Sequence, residues 1–250
     1  GQERTVLLVE DEAIIALNEK VTLEKRGLHV QLAHTGEKAI KAAETSEEID
    51  LVLMDIDLGN GVDGTEVASR ILERRKLPIV FLTSHAEREM VRKVKGITRY
   101  GYVLKNAGEF VLVEAIQTAL ELFDANVLLE KSERKYRQMV DTAPMPFQSL
   151  DAEGRFIDVN KAWLETLGYR REEILGTWFG DLLPPEQVEL FRERFPMFKS
   201  QGHIEKVDFR LRSSDGSFIH TLFNGCIAYE DDGAFSHTVC IFQVVSNGEE

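Results

Sequence analysis

The residues Leu51-Val52-Leu53-Met54-Asp55 constrain this chain more than any others. Four apolar residues with no polar alternation read as a strand buried on both faces, the condition of a parallel sheet. Such a strand delivers Asp55 to the carboxyl edge of the sheet, where open α/β sheets keep their ligand sites. Val6-Leu7-Leu8-Val9 ends in the same way in Glu10-Asp11, and Ile79-Val80-Phe81-Leu82 ends in Thr83-Ser84. The shorter run Tyr102-Val103-Leu104 ends in Lys105. Three carboxylates, a hydroxyl and an ammonium therefore converge on one edge, a set suited to a divalent cation and a phosphoryl group.

Helical patterns separate these runs. Ile14, Ile15, Leu17, Val21 and Leu23 fall at near-helical spacing after Glu12, and Lys25-Arg26-Gly27 is a helix stop. Leu28 to Ala33 reads as a more exposed strand, and Thr35-Gly36 opens a helix through Ala39, Ile40 and Ala43. Further helices are expected over about Thr65–Arg75 and Glu87–Lys95. Alternating strands and helices mean a doubly wound five-stranded parallel sheet covered by helices, with right-handed crossovers.

At 250 residues the chain has room for two domains. Its 43 acidic and 30 basic residues give a net charge of −13, spread over both halves. That surface argues against electrostatic nucleic-acid binding and against attraction to anionic lipid. No apolar run reaches membrane-spanning length and no signal segment opens the chain. Cys226 and Cys240 form no C-x-x-C pattern, which suits buried, inert thiols in a reducing cytoplasm. Gly1 in place of Met reads as a processed or engineered start.

Glu10-Asp11, Asp55, Asp63-Gly64, Thr83, Tyr102 and Lys105, in this order and strand context, resemble a response-regulator receiver domain over roughly half the chain. The resemblance implies the flavodoxin-like strand order 2-1-3-4-5. It implies Asp55 as the phosphoacceptor, taking a phosphoryl group from a phosphohistidine donor, a histidine kinase or phosphotransfer protein. Mg2+ would be held by Asp11, Asp55 and the backbone carbonyl of Asp57, with Glu10 acting through water. Lys105 would place its charge on a phosphoryl oxygen. Thr83 and Tyr102 would be the switch pair, Thr83 donating a hydrogen bond to the phosphoryl group. Asp57 and His85 occupy the positions that tune hydrolysis, and a direct catalytic role for His85 is not expected. Taken singly, an Asp after a strand is a loop starter, a Lys a solvated charge, and Glu10-Asp11 an ordinary helix N-terminal pair. Four strand ends supplying one matched set make that bland reading improbable.

Two departures stand out. Asn106 follows Lys105 where the family has proline after a cis bond, so either a strained cis bond or a rebuilt loop is expected. Leu58-Gly59-Asn60-Gly61-Val62 lengthens the loop after Asp55, like the variant in receivers attached to sensory and kinase modules.

From Gly108 the helical pattern runs on, with neither Gly nor Pro between Glu109 and Thr142. Leu112, Ile116, Leu120, Phe123 and Val127 form an apolar seam. A helix of that length, roughly 50 Å, exceeds what one small domain covers, so the seam is expected to pair with a second copy as a short coiled coil. The alternative is that its first half packs on the receiver and the rest is a solvated linker.

Beyond Ala143-Pro144-Met145-Pro146 the pattern becomes two strands, short helices and three strands. Asp158-Val159-Asn160-Lys161-Ala162, Leu167-Gly168-Tyr169, Glu173-Ile174-Leu175-Gly176 and Arg212-Ser213-Ser214-Asp215-Gly216-Ser217 are similar to a PAS sensor domain. The resemblance implies an α+β fold whose five-stranded antiparallel sheet cups a ligand or a partner. The cysteine helix motif of flavin photosensors is absent, and His203, His220 and His237 read as solvated or satisfied rather than as haem ligands. Trp163, Trp178, Phe179, Phe191, Phe195 and Phe198 read as core, and Cys226 as a small buried residue. The PAS ligand stays unassigned.

The expected organisation is a receiver over 1–124, a helical connector over 125–142 and a PAS domain over 143–250. The expected function is two-component signalling as a cytoplasmic homodimer, with no nucleic-acid partner and no membrane segment. The chain reads equally as the front of a longer sensor kinase or as an adaptor. A metal-dependent phosphatase with Asp55-Ile56-Asp57 as nucleophile and acid-base pair is one alternative. A phosphorylation-independent dimerisation scaffold, to which Asn106 points, is the other.

Overall fold

The computed structural model describes residues 3–59, 63–84, 94, 96–98 and 100–245. Asn60-Gly61-Val62, His85 and most of the expected Glu87–Lys95 helix lie outside the described residues. The chain divides into two compact units, Gly1–Lys131 and Ser132–Glu250.

In the first unit the elements are β1 (Arg4–Val9), α1 (Ala13–Glu24), β2 (Leu28–Ala33), α2 (Gly36–Thr45), β3 (Ile49–Asp55), α3 (Gly64–Arg74), β4 (Ile79–Thr83) and β5 (Tyr102–Leu104). All strand pairs are parallel, in the order β2-β1-β3-β4-β5. The alternation of strand side chains splits the core between two faces. Leu7, Val9, Val52, Met54 and Phe81 pack with residues of α2 and α3 on one face. Val6, Leu8, Leu51, Leu53, Val80 and Leu82 pack on the other with Leu23 and with Leu112, Ile116 and Leu120 of α4 (Glu109–Thr142). The unalternating run Leu51–Met54 is thus buried throughout, as a doubly covered strand requires.

Two apolar patterns face elsewhere than their spacing suggested. Ile14, Leu17 and Val21 of α1 are exposed, because α1 turns Ala16 and Leu23 to the sheet instead. In α4, Leu112, Ile116 and Leu120 are consumed by the unit's own core, and Phe123 sits edge-on to Tyr100 at 6.1 Å. That part of the expected coiled-coil seam is therefore not available to a second copy. The large apolar residues α4 leaves bare are Phe110, Val111, Leu122, Leu128, Leu129, Tyr136 and Met139, of which Leu122, Leu129, Tyr136 and Met139 form one stripe.

The second unit carries β6 (Phe147–Leu150), β7 (Phe156–Val159), α5 (Lys161–Leu167), α6 (Arg171–Ile174), a 3-10 turn at Phe179–Leu182, α7 (Pro185–Gln201), β8 (His203–Arg212), β9 (Phe218–Tyr229) and β10 (Phe235–Val244). Its sheet is antiparallel in the order β7-β6-β10-β9-β8. Asn160, wholly buried, caps α5 by accepting from Trp163 N–H at 2.9 Å. Its amide nitrogen donates to the carbonyls of Val140 and Met145, tying down the end of α4 and the Pro-rich break. Trp163, Phe179, Phe191, Phe195 and Phe198 are core, as expected. Cys226 is not: it is exposed, while Cys240 is buried. Strand β9 turns Thr221, Phe223 and Ile227 inward, so the two-residue period puts Cys226 on the outer face. Burial pushes the Cys240 thiol up to about 12.

Candidate functional site

Strand register builds the site. Val9 pairs with Met54, so the next residues, Glu10 and Asp55, emerge side by side. Asp55 pairs with Leu82, which sets Thr83 one step beyond. Thr83 pairs with Leu104, and the Lys105 N–H donates to the Thr83 carbonyl at 2.9 Å. The sheet thus brings Glu10, Asp55, Thr83 and Lys105 to one edge.

The Lys105 ammonium bridges two carboxylates, donating to Glu10 Oε2 and to Asp55 Oδ2, each at 2.7 Å. Glu10 is fully buried and Asp55 and Thr83 nearly so, whereas a fifth of the Lys105 side chain is exposed. Burial pushes the Glu10 carboxyl above its usual range; Lys105 opposes this and the Asp55 charge reinforces it. Burial alone would lower the Lys105 pKa, but its hydrogen bonds to Asp55 and Glu10 outweigh that and raise it.

Glu10, Asp11 and Asp55 each offer a carboxylate oxygen, all within 4.8 Å of one another. Hard oxygen donors in a tight cluster match what Mg2+ requires. The loop is shaped to leave room at Asp11: a Cβ on Gly59 would lie 2.4 Å from Asp11 Oδ2. Asp57 donates its N–H to Asp55 Oδ1 at 3.3 Å, and its own Oδ1 accepts from Gly59 N–H at 3.2 Å. Asp63 caps α3 instead of joining the cluster, accepting from Thr65 N–H at 2.8 Å. Gly64 is required there because a Cβ would lie 1.9 Å from the Asp55 carbonyl oxygen.

Tyr102 is half-buried against the cluster that contains Phe81, beside the strand that ends in Thr83. No peptide bond among the described residues is cis, so the loop after Lys105 is the rebuilt alternative: Ala107 N–H closes a turn onto the Leu104 carbonyl.

One residue of this neighbourhood escaped the sequence reading. Glu19 Oε2 is buried with no hydrogen-bond partner among the described residues. Burial first, then the Glu10 charge, raises its pKa to about 7. The signal was its position on α1, three residues after Ala16 and four before Leu23, on the face that meets the sheet.

A family model for the response regulator receiver domain matches residues 6–117, and one for the PAS fold matches residues 134–245. The transcriptional regulatory protein PdtaR of Mycobacterium tuberculosis is 34% identical over 128 residues, 51% of this chain and 62% of that protein. The phyllosphere-induced regulator PhyR of Methylorubrum extorquens is 33% identical over 84 residues, 33% of this chain and 32% of that protein. This chain thus spans less than two thirds of either relative's length. Among solved structures, the N-terminal domain of a response regulator/sensory box/GGDEF three-domain protein from Carboxydothermus hydrogenoformans is 43% identical, covering 50% of this chain and 99% of that one at a TM-score of 0.47. No helix among the described residues is long and apolar enough to cross a membrane. With its 2-1-3-4-5 parallel sheet and its five-stranded antiparallel sheet, the chain belongs to the response-regulator receiver family over residues 6–117 and to the PAS family over residues 134–245.

Proposed function

We propose that this protein works in two-component signalling, its receiver domain (1–124) accepting a phosphoryl group on Asp55 from a phosphohistidine donor. The observation that carries this is the bridge from Lys105 to both Asp55 and Glu10 beside a three-carboxylate cluster. An Asp55 carboxylate oxygen attacks phosphorus; a P–O bond forms, the P–N bond breaks, and the imidazole leaves with the electron pair. Phosphoryl transfer of this kind asks for positioning and charge neutralisation more than acid-base work. Asp11, Asp55 and the Asp57 carbonyl would hold Mg2+, with Glu10 behind through water; the ion, when bound, supplies charge neutralisation for the phosphoryl oxygens. Lys105, already drawn to Asp55, would follow the new negative charge onto the phosphoryl oxygen. Thr83, at the adjacent strand end, would donate to another, with Tyr102 as its switch partner.

Residues 125–142 then act as connector to a PAS sensory domain over 143–250. Leu122, Leu129 and Tyr136 recur every seven residues on the bare side of α4, with Met139 three further on, which favours a homodimer through this helix. The acidic surface favours protein partners over nucleic acid. The proposed setting is the cytoplasm, where the two unpaired thiols stay reduced.

Acetyl phosphate with Mg2+ should add one phosphoryl group to the wild-type chain, read by intact mass, and none to Asp55→Asn. An unchanged wild-type mass sinks the proposal. Sustained turnover of a phosphate ester would point instead to the phosphatase reading, which neither family match favours.

A further inference from the structure

The first domain contains a cavity of about 170 Å³ between α1, the ends of β4 and β5, and the first turn of α4. A cavity of ~150 Å³ already admits a ring the size of benzene, so this one holds a small molecule and not only a water. Leu82, Val103, Leu104 and Leu112 give it an apolar side. Glu19, with Asn18 and Thr22 beside it on α1, gives it a polar one. Exposed Asn18, Gly108 and Glu109 lie toward solvent.

Three charged side chains line this cavity, and two of them are engaged elsewhere. The Lys105 ammonium is held by Glu10 and Asp55, and Glu109 accepts from Arg26 at 2.9 Å. Glu19 has no ion pair among the described residues, and its Oε2 is buried without any hydrogen-bond partner there. A buried carboxylate oxygen left unpaired is costly, and a donor offsets that cost. The last torsion of a Glu side chain is broad and roughly two-fold, so either oxygen can turn to the cavity. Glu10 and Asp55 outnumber Lys105 next to it, so the surrounding charge is negative and the missing donor is cationic.

We infer that this cavity binds a small planar guanidinium-type cation, whose N–H groups pair with the Glu19 carboxylate while its faces rest on the leucines. A guanidinium matches a carboxylate with two parallel N–H bonds and is more weakly hydrated than an ammonium, so it suits a half-apolar cavity. An anion meets Glu19, Glu10 and Asp55 together. A neutral analogue keeps the shape but forgoes the charge-assisted bonds.

The test uses three probes on the full chain at pH 8 and constant ionic strength: guanidinium, the neutral and equally planar urea, and tetramethylammonium, a cation with no N–H. All are used at millimolar concentrations, far below those that unfold proteins. Binding is read from the backbone amide NMR shifts of Glu19, Leu104 and Glu109. Guanidinium should shift these saturably, at least about fivefold more tightly than urea, and tetramethylammonium should leave them unmoved. Glu19→Gln, which keeps the side chain's shape, should erase the preference for guanidinium over urea. Thr22→Phe, which puts a ring into the cavity, should abolish the guanidinium shifts. No saturable guanidinium response, equal affinity for urea, equal shifts with tetramethylammonium, or a preference that survives Glu19→Gln overturns the inference. The measurement uses the unphosphorylated chain without Mg2+ or phosphodonor, so it succeeds or fails separately from the phosphoryl-transfer reading.

Discussion

Lys105 Nζ lies 2.7 Å from Asp55 Oδ2, and this ammonium also holds the fully buried Glu10. Two carboxylates at a strand edge repel each other unless a cation stands between them. Replacing Lys105 with Met should cost on the order of 3 kcal/mol at pH 7, because it strands two buried charges. The loss should shrink as the pH falls and the Glu10 carboxyl, pushed above its usual range by burial, takes up a proton. Urea unfolding at pH 7 and pH 5 measures this; equal stability of variant and wild type at pH 7 would mean the bridge contributes nothing.

Gly59 adopts φ +66°, and a methyl group there would press on Asp11 Oδ2. Gly59→Ala should cost about 1 kcal/mol from backbone strain and should also displace Asp11. The sharper consequence is for Mg2+, which stabilises the fold in proportion to its affinity. Mg2+ should raise the melting temperature of the wild type, need higher concentrations to do so in Gly59→Ala, and have little effect on Asp11→Ala. A Mg2+ response identical in all three would remove Asp11 from the ion site.

Glu19 has a folded-state pKa of about 7, raised above its ordinary value by burial and by Glu10. Between the unfolded and folded pKa values the native state binds more protons, so this group makes stability fall as the pH rises through that window. Glu19→Gln should therefore stabilise the protein at pH 8 and change little near pH 4.5. Denaturation midpoints across that range decide it; a gain independent of pH would assign the effect to packing.

Asn160 satisfies five backbone groups around the end of α4: it accepts from Phe147 and Trp163 N–H and donates to the Val140, Ala143 and Met145 carbonyls. Asn160→Ala should destabilise the second domain by about 2–3 kcal/mol, since several buried groups lose partners at once. Asn160→Asp keeps both acceptor contacts but turns a buried carboxylate oxygen onto the same carbonyls, so it should destabilise at neutral pH at least as much as Asn160→Ala. Chemical denaturation followed by Trp fluorescence reads the second domain directly, because both tryptophans, Trp163 and Trp178, lie there.

Leu129 stands at the middle of the exposed stripe on α4. If the stripe pairs two copies, Leu129→Glu should turn a sedimenting dimer into a monomer while leaving helix content by circular dichroism unchanged. Replacement of the buried Ile116 should instead damage the first domain's core. A dimer that survives Leu129→Glu would move the interface elsewhere.

What the sequence disclosed and what it withheld follow one physical line. The Asp55 edge was legible because a parallel strand buried on both faces needs an unbroken apolar run, and the residue ending that run has one place to go. Register then did the rest, pairing Val9 with Met54 and Thr83 with Leu104. Faces were harder. The spacing of Ile14, Leu17 and Val21 is that of a buried helix stripe, yet Ala16 and Leu23 meet the sheet. The first residues of the α4 seam were equally periodic but serve the domain's own core. Periodicity says that a face is apolar; only tertiary packing says what covers it. Cys226 shows the same limit in a strand, where a shift of one residue exchanges inside for outside.

Helix α4 is anchored from both ends: Leu112 to Leu120 lie in one core, with Phe123, Asp124 and Glu130 meeting Tyr100, Arg4 and Lys76, while Arg137, Val140 and Asp141 are bonded to Asp158, Asn160 and Arg171. Helices begin with difficulty and lengthen with ease. Each domain, once assembled, therefore offers a ready-made starting turn, and the intervening stretch closes like a zip from its two anchored tips. Cleavage midway would spare either core but leave each half of the helix with an unanchored end, free to fray.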